Sequence, residues 1–384
     1  MAFTGKATYS AGTTLPELAE DVSDLIGIIS PYETPLLDAL GEPMREATST
    51  HHEWLEDELL PNKDAVNDST YADPSADTDF VVAHGSRFRI GDQIQVEGGE
   101  ELMLVTGIDG DTLTVVRGYA GTSAEDLADN QVINILGNAA LEGADKPGVR
   151  FTNRSRCGNY TQIFTAAVEV SGTDMAASQL GLADEMDYQK QERLRELLRD
   201  LENTVVNGGQ PASSPEGSGS VRRSMRGIIQ HLSSNVFHTG DSGFPAGADL
   251  DEDKINYVLR QIWDSSNGNV DLIVVGGFQK RKINAFSSGS RTYGANDTTF
   301  TDMVSIYESD FGICTIVMTR WMPQDAVLLL DSSRINVLPL AGRSFHFKPL
   351  ASGGDYECGE LIGEYTVELK NEAAHGLIRE LSTS

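Results

Sequence analysis

Apolar and polar positions change rhythm several times along the chain. In "ADEMDYQKQERLRELLRDLENTVVNGG" the positions Met186, Lys190, Leu194, Leu197, Leu198, Leu201 and Val205 recur at spacings of three and four. That stripe is the face an α-helix turns to a core. Asp184, Glu185 and Asp187 sit at its start, where the helix dipole favours acids, and Gly208-Gly209 ends it. A helix over about 183–206 would run roughly 36 Å at 1.5 Å per residue, about twice the ordinary length. Residues 86–124 keep a period of two instead, with apolar alternation at 94–96, 102–104 and 113–115 and a hairpin signal at Asp109-Gly110. This predicts a small β module. Residues 148–173 read as extended strand, with Phe164, Val168 and Val170 among polar neighbours.

Beyond the Gly/Pro/Ser stretch at 208–220 the pattern becomes α/β. "DEDKINYVLRQIWDSS" predicts a helix, "VDLIVVGG" a buried strand and "FQKRKINAF" a helix. "ICTIVMTRW" and "AVLLLDSSRINVLPL" predict strands. The tail alternates over Tyr365, Val367 and Leu369 and turns at Asn371. The first fifty residues are less regular. Pro31 and Pro35 break "DLIGIISPYETPLLDAL" into an arm with short helical pieces. Its Leu25, Ile26, Ile28, Ile29, Leu36, Leu37 and Leu40 must bury themselves on something. Residues 51–80, with nine acids and one lysine, look like an excursion with little core of its own.

Charge sharpens this division. The 384 residues carry a net charge of −29, and residues 1–149 hold 28 acids against 7 bases. Such acidity excludes a protein that grips nucleic-acid phosphates, which needs a basic footprint. A solvated acidic surface is the plain alternative. No apolar run approaches the ~20 residues of a membrane helix, and the N-terminus has no hydrophobic signal core, so export by a signal peptide is not expected. Cys157, Cys314 and Cys358 have no metal or redox spacing and read as free thiols in a reducing compartment.

The sequence offers no catalytic constellation. "VDLIVVGGFQKRK" has strand, Gly-Gly and helix, but neither GxGxxG nor GxxxxGK[ST] follows, so a tight strand-to-helix turn accounts for it. "DLDEDK" at 249–254 lacks EF-hand spacing and sits where a helix N-cap is expected. The histidines, His51, His52 and His375 among them, show no ligand spacing. "GSGS" lies in the linker rather than after a strand, so it is no nucleophile elbow. No cofactor and no metal are expected.

Several segments together resemble the major capsid proteins of tailed bacteriophages, whose fold is named after the Hong Kong 97 phage. They are "TPLLDALG" (34–41), "HEWLED" (52–57), "NYTQIF" (159–164), "VEVSGT" (168–173), "GLADEMDYQ" (181–189), "LRELLRDLE" (194–202), "IVVGGFQKRKI" (273–283) and "YTVELKNEAAHGLI" (365–378). They span nearly the whole chain in the right order. The resemblance implies an α+β fold with an N-terminal arm at 1–50 and an extended loop at 51–77 and 140–170. A small β-barrel-like domain at 78–139 would be inserted in that loop. A peripheral domain with the long spine helix would hold 171–225 and 345–384, and an axial domain 226–344. Inter-subunit contacts are expected at Leu36, Leu37, Trp54, Asp57, Arg193 and Arg226.

What the resemblance implies is a structural, non-enzymatic major capsid protein. It would self-assemble into hexamers and pentamers of an icosahedral phage head. Its partners would be itself, a portal protein, scaffolding or decoration proteins, and packaged double-stranded DNA enclosed without sequence-specific binding, with no membrane. It would reside in the virion and assemble in the host bacterial cytoplasm. No motif marks the Lys–Asn cross-link that some relatives form. The alternatives are an encapsulin-like nanocompartment shell of the same fold, which would enclose cargo rather than a genome, an α/β enzyme built on 226–344, and a β-rich adhesin. The enzyme lacks its elbow or P-loop, and the adhesin lacks repeated β modules.

Overall fold

The computed structural model describes residues 33–43, 45–70, 73–143, 148–176, 184–289 and 306–383. The expected arm residues Leu25, Ile26, Ile28 and Ile29 lie outside them. The chain divides into two compact units, Leu55–Ser155 and the remainder.

A one-and-a-half-turn helix α1 (Pro35–Leu40) precedes strand β1 (His51–Glu56). Six strands then form a sheet: β2 (Lys63–Ala65), β3 (Asp79–Val81), β4 (Asp92–Val96), β5 (Leu102–Asp109), β6 (Thr112–Val116) and β7 (Val132–Asn138). Their spatial order is β2-β7-β4-β5-β6-β3. The two edges meet: Val66 bridges Val82, Asn67 N–H donates to Val81 O at 2.9 Å, and Ala83 N–H donates to Ala65 O at 2.9 Å. The sheet is therefore a small closed barrel, and closure removes the exposed edges that invite aggregation. Alternation puts Ile94, Met103, Val105, Leu113, Val115 and Ile133 inside, with Phe80 and Phe88. The β5–β6 hairpin turns at Gly110, whose φ of +62° suits a residue without Cβ. The barrel starts earlier than the sequence suggests. β2, "KDA", lies within the stretch expected to be loop, because a three-residue closing strand has no alternation to reveal it.

The chain returns through β8 (Ser155–Tyr160), which pairs with β1, and β9 (Gln162–Ser171). After α2 (Gly172–Ala176) comes the long α3 (Glu185–Asn207), 23 residues, within two residues of expectation at each end. Asp184 caps it by accepting from the N–H groups of Met186 at 2.9 Å and Asp187 at 3.2 Å. Then follow α4 (Ile228–His231), β10 (Val236–His238), α5 (Glu252–Ser265), β11 (Leu272–Val275), α6 (Gly277–Gly289), β12 (Ile306–Ser309), β13 (Gly312–Met318), β14 (Val327–Leu330), β15 (Ile335–Pro339), β16 (His346–Leu350), β17 (Tyr356–Leu369) and β18 (Gly376–Arg379).

These elements build two sheets. One has the order β10-β18-β14-β11-β13-β12; in the other, β17 is flanked by β15 and β16 and also pairs with β9. The six-stranded sheet is covered on both faces. Leu272, Val274, Leu328 and Leu330 face a core shared with α3 and the antiparallel sheet. Ile273, Val275, Val327 and Leu329 face α5 and α6. Burial on both sides is why "LIVV" and "VLLL" are continuous apolar runs. The expected break at 344/345 does not follow the sheets. β15 joins β17 in the antiparallel sheet, whereas β18 pairs with β14 and β10 in the other. Short apolar strands fit either sheet, and only their neighbours decide.

Candidate assembly surfaces

The six residues singled out in the sequence separate into two groups. Leu36 is fully buried, in one core with Leu197, Leu201 and Val205 of α3. Leu37 is half-buried against that core. The start of α1 is held from the spine: buried Glu202 accepts from the backbone N–H of Leu36 at 3.2 Å and Leu37 at 3.4 Å, and from the Thr319 hydroxyl at 2.6 Å. Trp54 is buried too, its ring stacked 6.3 Å from His231. Within the chain, Leu36 and Trp54 are thus already covered. The polar members are accessible. Asp57 is exposed, 3.9 Å from Arg154. Arg193 pairs with Glu196 at 2.8 Å on the helix surface. Arg226 donates to Gln210 Oε1 at 2.9 Å.

Six exposed apolar residues flank the barrel. Leu55, Leu59 and Leu60 precede the barrel, and Leu141, Val149 and Phe151 follow it. Leu59, Leu141, Val149 and Phe151 are 78–88% exposed. Single exposed leucines are ordinary, but six on two short connecting segments are not. Sequence reading passed over them because they lie among acids and glycines without periodicity. Their signal was the presence of large apolar residues in a stretch that has no core.

The base of these segments is fixed by polar contacts. β17 alternates Leu361, Val367 and Leu369 toward the apolar core with Glu364, Thr366 and Glu368 on its other face, all buried. Glu364 accepts from the Thr161 hydroxyl and from Arg223, each at 2.6 Å, and Arg343 lies 2.8 Å away. Asn159 Nδ2 donates to Val367 O at 2.9 Å and Thr366 Oγ1 to Tyr160 O at 3.1 Å. Glu368 meets the Arg45 guanidinium, with Lys370 Nζ at 3.5 Å and His52 Nε2 at 3.7 Å. Burial alone would raise the Glu368 carboxyl. The nearby His52 imidazole, the hydrogen bond from Arg45 and the charge of Lys370 outweigh it and bring the pKa down to about 2. Both ends of the excursion, at 45–52 and 159–161, are thereby clamped to one strand.

In the barrel unit, just before β5 and just after β6, Glu101 and Arg117 form a buried pair at 2.7 Å. Arg117 also donates to the carbonyls of Pro74 and Asp77 at 3.1 Å each. Burial opposes ionisation of Glu101, but Arg117 and the N–H groups of Glu125 and Gly118 hold it below the usual carboxylate range. Among the described residues no cluster of three or more His, Cys, Asp or Glu is placed to hold a metal. Among the same residues no helix is long and apolar enough to cross a membrane.

A long spine helix under an antiparallel sheet, a second sheet with helices, and an extended excursion are the parts expected of the Hong Kong 97 capsid fold. Comparison with known proteins agrees. The family model described as SU10 major capsid protein matches residues 3–382, and the chain belongs to that family. No curated protein matches it. Among solved structures, the capsid of a native GTA particle aligns over 99% of this chain and 100% of its own, with TM-score 0.53 and 10% identity. The capsid of the empty GTA particle aligns over 99% and 100%, with TM-score 0.50 and 9% identity. The holo-SrpI encapsulin of Synechococcus elongatus covers 61% of this chain and 79% of its own, with TM-score 0.44 and 9% identity, too low to carry the nanocompartment reading. The protein is a structural major capsid protein, a component of a virion and not an enzyme.

Proposed function

We propose that the chain forms the hexamers and pentamers of an icosahedral head that encloses double-stranded DNA, with residues 55–62, 139–143 and 148–151 lying over a neighbouring copy. The observation that carries this is the set of six large apolar side chains there that their own unit leaves in water. In this reading the barrel is the inserted domain, the sheet around β17 with α3 is peripheral, and the α5–α6 region is axial. Asp57, Arg193 and Arg226 contribute polar contacts between copies. The acidic surface leaves the genome confined rather than gripped. A portal protein, with scaffolding or decoration proteins, completes the head, which assembles in the host bacterial cytoplasm.

Leu59→Asp combined with Phe151→Asp tests the reading, because both side chains are exposed and fold no core. Sedimentation and negative-stain microscopy should show shells for the parent chain and folded, unassembled subunits for the variant. Shells from the variant at the parent's threshold concentration would refute the role of these segments.

A further inference from the structure

Two chain crossings between the two sheets and the link from α4 into one of them converge on one point. Residues 231–235 lead from α4 to β10, residues 331–334 from β14 to β15, and residues 370–375 from β17 to β18. They are knotted by polar contacts. The Glu372 carboxylate accepts from the N–H groups and hydroxyls of Ser233 and Ser234. Asn235 Nδ2 donates to Ala373 O at 2.7 Å. Leu377 N–H donates to Asn235 O at 2.9 Å and Lys370 N–H to Arg334 O at 3.0 Å. Two histidines sit in the knot. His375 is fully buried, and its Nδ1 accepts from Asp331 N–H at 3.2 Å. That nitrogen must be unprotonated, since a proton there would face a donor. His231 stacks on Trp54. Both its ring nitrogens are shielded from water and meet no hydrogen-bond partner among the described residues.

We infer that this knot is an acid-sensitive joint: charging His231 and His375 breaks the Asp331 contact, leaves the His231 cation without an acceptor, and loosens the crossings between the two sheets. The surrounding charges do not relieve it. His231 faces Arg226, Glu372 and His375, with His52 beyond Trp54. His375 faces the Lys370 backbone, which favours its charged form, and Asp331, Arg334 and Glu372, but burial outweighs them. Glu372 is already taken by the two serines, and Asp331 by Arg334, Ser333 and Asn269. Burial pushes both imidazoles down to about 4 from 6.5, and Arg226 adds to the effect at His231. The joint is therefore tight above pH 6.5 and gives way as pH falls toward 4.

Hydrogen–deuterium exchange of the full chain at pH 7, 6 and 5, corrected for intrinsic rates, tests this. Amides of 231–238 and 370–379 should exchange faster at pH 5 by roughly 20- to 30-fold per histidine, while 272–275 and 102–109 change little. His231→Phe preserves the stack on Trp54 and removes the unpartnered nitrogens, so it should fold and lose its share of the acid step. Adding His375→Gln, whose amide oxygen can still accept from Asp331, should abolish the rest. Wild-type amides at the joint that stay as protected as 272–275 at pH 5 would overturn the inference. So would an unchanged acid profile in His231→Phe.

Discussion

Replacing Glu368 by glutamine keeps the shape of a buried side chain and removes its charge. A carboxyl held at about 2 in the folded chain, against 4.5 when unfolded, contributes about 3 kcal/mol at pH 7. The sign follows from the depressed value: this stability is complete above pH 4.5 and is lost as pH falls toward 2. In the variant Arg45, half-exposed, and Lys370 can turn to water, which limits the secondary cost of leaving them unpaired. Urea unfolding of both proteins, followed by tryptophan fluorescence below the assembly concentration, should give a gap of about 3 kcal/mol at pH 7 and nearly the same at pH 5. At pH 3 it should shrink to about half, because much of the wild-type carboxylate's advantage has gone. A gap that stays constant from pH 7 to pH 3 would show that side-chain shape, not the ionised carboxylate, holds the base of the excursion. A gap below about 1 kcal/mol at pH 7 would show that desolvation cancels the ion pairs.

Two further outcomes follow from the cores. Leu197→Ala, within the buried face of α3, should cost about 2–5 kcal/mol in the same assay, whereas Glu192→Ala, on the side that pairs with Arg195, should stay within about 0.5 kcal/mol; equal losses would contradict the assigned face. Glu101→Ala leaves Arg117 buried without its carboxylate and should cost about 3–5 kcal/mol, read as faster hydrogen exchange confined to the 55–155 unit, and unaltered protection across 102–116 would refute that role.

The spine helix was legible because its signals are local: a three-four apolar stripe, Asp184 before it and Gly208 after it. The β5–β6 hairpin was legible for the same reason, since alternation and Gly110 act within a dozen residues. Membership of the capsid fold also lay in the sequence, spread over segments whose order mattered more than any one of them. The pairing of strands did not. β15 and β18 are short apolar runs that exchange sheets relative to expectation, and "KDA" becomes the strand that closes a barrel. The acids of β17 show the same dependence on distant contacts. Glu364 and Glu368 occupy the positions of a solvent face, and only distant Arg45, Arg223 and Thr161 turn that face into an interior. Leu36 and Trp54 carried the same ambiguity in reverse, being apolar residues in need of cover, which α3 and His231 supply from within the chain. Local pattern fixes which side chains must leave water; which part of the chain receives them depends on contacts between residues more than a hundred positions apart, and those exist only once the sheets have formed.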